Sequence, residues 1–253
     1  MEKKKITIIG AGMMGSALAF PAAENGHEVH IVGTCLDDKI IDGYLATGKH
    51  EKFCRPFPEN VNYHYFKDWK TVVEGSDFVI GGVSSFGVDW FLEEILIQLD
   101  PEMPVLSVTK GLRATDDGSL LSYPGYWMSE LAKRGIHRDI CAVGGPCTSY
   151  ELVFKDPTEV AFCGWDNEVL RMMKQAMQRP YYHISLTNDV IGLESAVALK
   201  NAYAMAVTLA VGLNIRWHGE EEVQHFNSQA GTFTQAVRET HALMLLQGGE
   251  FES

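Results

Sequence analysis

Lys200 is the only full charge in an otherwise apolar stretch from Ala196 to Leu213. An ammonium taken out of water costs several kcal/mol unless it is paired. Burial also depresses a lysine pKa, which suits such a group to exchanging protons near neutral pH. Lys200 is therefore a candidate proton acceptor or donor, against the plainer reading of a core-edge lysine that carries its head to water. A second set of residues opens the chain. Gly10-Ala11-Gly12-Met13-Met14-Gly15 fits G-x-G-x-x-G between a strand pattern and a helix pattern. In that setting the first glycine permits a tight turn, the second admits a pyrophosphate to the backbone and the third lets helix and strand pack closely. The helix N-terminus adds N–H donors and a favourable dipole for phosphate. A third candidate, Lys110 in Val108-Thr109-Lys110-Gly111-Leu112, follows a strand where an open α/β sheet receives anions or cofactors. Gly144-Gly145-Pro146-Cys147 follows another strand. No histidine stands at a diagnostic spacing from Cys147, so it reads as an inert thiol lining a site.

These residues need a scaffold, and the pattern supplies one. Short β-branched runs at Lys5-Ile9, Glu28-Val32, Phe78-Val83, Val105-Val108, Ile140-Val143, Val160-Phe162 and Tyr182-Leu186 read as strands. Several are nearly continuous apolar runs, as expected of parallel strands covered on both faces. Helical patterns over Met13 to Glu24, closed by Asn25-Gly26, and over Val88 to Leu99 fit between them. Pro21 should kink the first. The alternation predicts a doubly wound Rossmann-type α/β fold over residues 1–188. After Thr187 the strand signal ends, and helices over Glu194 to Leu213 and Thr232 to Leu246 predict an all-helical second domain over residues 189–253, joined by a polar connector from Asn214 to Asn227.

Composition narrows the function. A net charge of −12 argues against nucleic-acid or anionic-membrane partners. A membrane span over the Lys200 segment is disfavoured by the Lys, Asn, Tyr and Thr within it and by the acids beside it. No signal-sequence core is visible near Ile6 to Ile9. Cys35, Cys54, Cys141, Cys147 and Cys163 are odd in number and without CxxC spacing, which fits reduced cytoplasmic thiols. His50, His64, His218, His225 and His241 show no metal-ligand spacing, so no metal is expected. Glu220-Glu221-Glu222 reads as a solvated loop face. The choice between NAD and NADP stays open: the second strand ends in Gly33-Thr34, Asp37-Asp38 lie slightly beyond, and there is neither an acid in the usual place nor an arginine.

Taken in order, Gly10 to Gly15, Val83-Ser84, Ser107 to Leu112, Gly145-Pro146 with Glu151 and Pro157-Thr158, and Ala198-Leu199-Lys200-Asn201 resemble the NAD(P)-dependent glycerol-3-phosphate dehydrogenases, in particular the archaeal form. The likeness runs along nearly the whole chain. It implies hydride transfer between NAD(P)H and dihydroxyacetone phosphate, giving sn-glycerol 3-phosphate. It further implies that Met13, Met14, Ser84 and Ser149 join the glycines and Lys110 around the cofactor, that Lys110 with Gly145 and Cys147 holds the substrate, that Lys200 accepts the proton, and that Asn201 orients the site. A homodimer with a small phosphorylated substrate is the implied assembly. Three departures stand out. Cys147 replaces a Ser or Thr, His50-Glu51-Lys52-Phe53 replaces a His-Pro-Arg-Leu-Gly-like segment, and the family's later Gly-Asp-Leu and Arg-Asn residues have no counterpart before Ser253, which implies an incomplete helical domain. Two alternatives remain. One is a β-hydroxyacid or ketopantoate-type reductase, whose catalytic lysine and asparagine are usually a helical turn apart. The other is a dinucleotide-binding sensor without catalysis.

Overall fold

The computed structural model describes residues 2–116, 118–219 and 226–250. The Glu220-Glu221-Glu222 face and His225 lie outside the described residues. The chain divides into two compact units, Met1–Lys110 with Tyr123–Asn188, and Gly111–Ser122 with Asp189–Ser253.

The first unit is built on an eight-stranded sheet. In chain order its elements begin with β1 (Lys5–Ile9), α1 (Met13–Glu24), β2 (Glu28–Val32), α2 (Asp38–Thr47), β3 (Val61–His64), α3 (Trp69–Val73), β4 (Phe78–Gly81), α4 (Val88–Phe91) and β5 (Val105–Ser107). The short strands β6 (Leu112–Ala114) and β7 (Leu120–Ser122) belong to the second unit. The first unit resumes with α5 (Tyr123–Lys133), β8 (Ile140–Gly144), α6 (Ser149–Phe154), β9 (Thr158–Cys163), α7 (Asn167–Met177) and β10 (Tyr182–Thr187). Strand order is β10-β9-β8-β5-β4-β1-β2-β3. All pairs are parallel except β8 with β9, so β9 and β10 run against the rest.

The near-continuous apolar strands have the cause expected of them, because the sheet buries both faces. Ile6, Ile8, Val29, Ile31, Phe78 and Ile80 join one core with α1, α6 and α7. Ile9, Val32, Val79 and Val105 join the other with Phe91, Leu96 and Trp127. Helix α1 is buried continuously from Gly15 to Ala23 and runs through Pro21 without ending there. It stops at Asn25, whose N–H donates to the Pro21 and Ala22 carbonyls, and at Gly26 with φ of +87°. The expected helix over Val88 to Leu99 is not uniform. After Phe91 it widens into a π turn over Leu92–Leu96, with the Ile97 N–H on the Leu92 carbonyl. Its far end is closed by the buried Arg138, whose guanidinium donates to the carbonyls of Leu99, Asp100 and Met103.

The second unit pairs α8 (Val190–His218) with α9 (Asn227–Leu246), and the antiparallel hairpin β6–β7 packs on α8. Both helices outrun the expected limits, and α8 absorbs the first part of the polar connector. Asp189 fixes the start of α8 by accepting from the Gly192 N–H on one oxygen and the Glu250 N–H on the other, both at 2.8 Å. Ser195 Oγ donates to Gln247 Oε1 at 2.8 Å. Helix α8 is also long and apolar enough to cross a membrane by length and composition.

Candidate active site

Strand order decides what can assemble. β1, β4, β5 and β8 are neighbours and parallel, so the segments after them line one edge of the sheet. Those segments are Gly10 to Gly15, Val83-Ser84, Val108-Thr109-Lys110 and Gly145-Pro146-Cys147. The order of strands also reverses between β1 and β4, which places a crevice beside the glycine loop.

Glycine is required in that loop for stated reasons. Gly10 has φ of +113°, and a Cβ there would lie 2.6 Å from the Gly82 carbonyl oxygen. A Cβ at Gly15 would overlap the Gly10 carbonyl oxygen. Gly12 is different: nothing lies within 4 Å of the place its Cβ would take. That open space adjoins the start of α1, where Gly12 provides no side-chain cap and the first helical bond runs from the Ser16 N–H to the Gly12 carbonyl at 3.0 Å. The N–H groups of Met13, Met14 and Gly15 therefore have no partner within the helix. An open cradle with uncapped donors fits a dinucleotide pyrophosphate.

The rest of the edge is firmly held. Thr109 is buried, donating its hydroxyl to the Val83 carbonyl at 2.8 Å and taking Ser107 Oγ on its N–H at 3.2 Å. Lys110, directly after it, is half-buried. Ser84 is exposed, and Phe86 two residues on is 99% exposed. Cys147 is buried, with its N–H on the Gly145 carbonyl at 3.1 Å. Ser149 begins α6, whose cap is reciprocal: the Glu151 N–H donates to Thr148 Oγ1 at 3.3 Å, and that hydroxyl donates to Glu151 Oε2 at 2.6 Å.

Three side chains behind the glycine loop escaped sequence reasoning as functional groups. Asp37, which precedes α2, turns its carboxylate back onto the loop, and Ser16 and Tyr44 converge on Ala11 from inside. The loop motif could not point to Asp37 and Tyr44, which lie far along the chain, and the adjacent Ser16 carries no signal in the motif that it turns inward. Among the described residues no group of three or more His, Cys, Asp or Glu is arranged to hold a metal ion.

In the second unit Lys200 is half-buried and Asn201 is exposed. The expected burial of this charge is corrected: buried positions of α8 cluster at its start, and Met205 and Leu209 are 71% and 62% exposed. A two-helix unit with a hairpin has too few layers to enclose a 29-residue helix. Lys200 lines a cavity of about 700 Å³ between α8 and α9, with Tyr203, Val207, Phe233, Ala236, His241 and Met244. Tyr203 donates to Glu239 at 2.9 Å across this helix pair.

Residues 5–170 match the family model described as NAD-dependent glycerol-3-phosphate dehydrogenase N-terminus. The NADP(+)-dependent glycerol-3-phosphate dehydrogenase of Archaeoglobus fulgidus is 30% identical over 248 residues, 98% of this chain and 71% of that protein. A glycerol-3-phosphate dehydrogenase [NAD(P)+] from Francisella philomiragia is 27% identical over 254 residues, covering 99% and 70%. Among solved structures, the glycerol-3-phosphate dehydrogenase of Coxiella burnetii superposes with a TM-score of 0.82 at 23% identity, over 99% of this chain and 71% of that one. A pyrroline-5-carboxylate reductase from the same organism shares the fold more distantly, with a TM-score of 0.54 at 14% identity over 98% and 82%. With this match and the glycine cradle at the sheet's switch point, the chain belongs to the NAD-dependent glycerol-3-phosphate dehydrogenase family of NAD(P)-linked oxidoreductases.

Proposed function

We propose that the protein catalyses reversible reduction of dihydroxyacetone phosphate to sn-glycerol 3-phosphate with NAD(P)H, in the manner of the archaeal form. The observation that carries this reading is the alignment of the glycine cradle, Ser84, Lys110 and the Gly145–Cys147 loop along one edge of four neighbouring parallel strands. Family membership and 30% identity to the Archaeoglobus enzyme support it.

The nicotinamide supplies the hydride chemistry when bound. The protein's residues do the rest. Gly10, Gly12, Met13, Met14 and Gly15 receive the pyrophosphate, with Ser84 and Ser149 as further cofactor contacts. Lys110 lends positive charge to the oxygen that becomes negative as the carbonyl is reduced, and Gly145 and Cys147 position the substrate. Lys200 exchanges the proton at the C2 oxygen, and Asn201 orients that exchange. A buried thiol in place of a hydroxyl at Cys147 makes a weaker hydrogen bond, so substrate is held less tightly there.

Five scattered cysteines, odd in number and without CxxC spacing, support a reducing, cytoplasmic setting. Exposed Met205, Leu209, Phe233 and Val237 on the helix pair support a homodimer. The test is oxidation of NADH and NADPH followed by absorbance with dihydroxyacetone phosphate, beside 2-oxo and 3-oxo acids. Turnover with dihydroxyacetone phosphate supports the proposal, and turnover only with an oxo acid transfers it to the hydroxyacid reductases. Cofactor binding without turnover of any of them favours a sensor.

A further inference from the structure

We propose that Asp37 and Tyr44 are positioning residues for dinucleotide binding, holding Ala11 by both sides of its backbone and so presetting the glycine loop. This rests on the dinucleotide reading of that loop. Ala11 is fully buried between β1 and α1, and its N–H and carbonyl must both find partners inside the protein. The N–H donates to Asp37 Oδ2 at 3.1 Å. The carbonyl oxygen lies 3.1 Å from Tyr44 Oη and 3.1 Å from Ser16 Oγ, and the two hydroxyls are 2.6 Å apart. Two hydroxyl protons serve these three contacts, so one joins the hydroxyls and the other reaches Ala11. Burial pushes the Tyr44 phenol well above its ordinary range, which keeps it a donor.

Asp37 does not behave as an ordinary helix cap. An aspartate at the start of a helix normally accepts from N–H groups in the first turn. Asp37 precedes α2 and makes no such bond. Its Oδ2 is given to the Thr34 N–H at 2.8 Å, the Thr34 hydroxyl at 2.9 Å and Ala11. Asp37 thus ties the end of β2 to the turn after β1, while Tyr44, further along α2, closes the same turn from the core. Gly10 directly before Ala11 occupies a left-handed conformation, and Gly12 directly after it opens the cradle. A residue fixed at both peptide groups between these two glycines sets the direction of the N–H groups that follow. Without the clamp, ligand binding would have to order the loop, and affinity would fall by that amount.

The test is calorimetric titration of wild type, Asp37→Ala, Asp37→Asn and Tyr44→Phe with NADH and with ADP-ribose, together with amide exchange of the Gly10–Gly15 segment in the ligand-free proteins. Asp37→Ala is expected to raise both Kd values about tenfold and to speed exchange at the loop. Asp37→Asn keeps an uncharged acceptor and is expected to recover part of that loss, as well as standing in should the alanine variant fail to fold. Tyr44→Phe leaves Ser16 to serve the carbonyl and is expected to raise Kd about threefold. Lowered melting temperature with wild-type Kd and wild-type loop exchange would overturn the proposal, since the residues would then be structural only. Wild-type protein that binds neither ligand would refute the dinucleotide reading and the clamp with it. Wild type that binds both, alongside aspartate variants that bind equally well, would refute the clamp alone.

Discussion

Gly12→Val separates folding from binding. Gly12 has φ of −65° and ψ of 174°, an ordinary extended conformation, and its Cβ direction is empty to 4 Å. Valine there is unstrained. It narrows the unfolded ensemble, worth about 0.4–1 kcal/mol in favour of the fold, and caps a helix less well than glycine by a similar amount. The two nearly cancel, and 1 kcal/mol moves the melting temperature of a chain this size by only about 2–4 °C. Binding is another matter, because the branched side chain fills the space facing the Met13 and Met14 N–H groups. Two hydrogen bonds to a charged phosphate are worth about 1.5–3 kcal/mol each, so their loss weakens NAD(P)H binding by roughly 100- to 10,000-fold. Fluorescence titration with NADH and NADPH, beside thermal melting, reads both effects. NADH affinity within threefold of wild type would refute the cradle, and a melting temperature lower by more than about 8 °C would refute the claim that the position is open. Gly10→Ala supplies the contrast, since a Cβ 2.6 Å from the Gly82 carbonyl and a φ of +113° should make that variant fold poorly.

Lys200→Ala should lower kcat by about 10²–10⁴-fold with cofactor Kd little changed; a small loss of turnover with a large drop in melting temperature would mark the lysine as packing instead. Arg138→Met should cost about 2–5 kcal/mol in urea unfolding, because it strands the carbonyls of Leu99, Asp100 and Met103 behind a buried side chain, and an unchanged midpoint would show those carbonyls finding water. Stability should also fall as pH drops below about 6.5. His27, His50 and His64 all have pKa values lowered from 6.5, chiefly by burial, and the Nδ1 atoms of His27 and His50 accept backbone N–H bonds that a proton would break. Below 6.5 the unfolded chain takes up protons that the folded chain refuses, so the stability is intact above that pH and is lost on acidification. A urea midpoint that held or rose from pH 7 to pH 5 would contradict this.

The limits of β1, α1 and β2 follow directly from their apolar runs and the Asn25-Gly26 stop. Strand β3 left no comparable trace. As the sheet's edge it pairs on one side only and buries little beyond Val61, so Asn62 and His64 are admissible and the apolar pattern is thin. The β6–β7 hairpin is three residues a side, too short for alternation to register. The surroundings of Lys200 differ for another reason. An apolar stretch implies burial, yet α8 is apolar along a surface that its own unit leaves largely exposed. Of the candidate site, the glycines and the strand-end residues were legible because local spacing defines them. Asp37 and Tyr44 were not, since their relation to Ala11 exists only once α2 has packed against β1 and α1.

The central place of β1 has a consequence in time. During synthesis β1 can pair with β2 on one side, but Ile6 must wait for Phe78 on the other, about 70 residues later. At about 5–20 residues per second that interval is roughly 4–14 s, during which Ile6, Ile8 and Ile9 lack their full cover. The glycine turn inherits the same delay. Gly10 takes its shape against Gly82, at the end of β4, and the Gly82 N–H closes on the Ile9 carbonyl at 2.8 Å. The phosphate cradle is therefore encoded in the turn after β1 but finished only when β4, the fourth of the sheet's eight strands in chain order, has been made. Cofactor cannot act as a template for the nascent strand, and it can stabilise this protein only after the centre of the sheet has already closed.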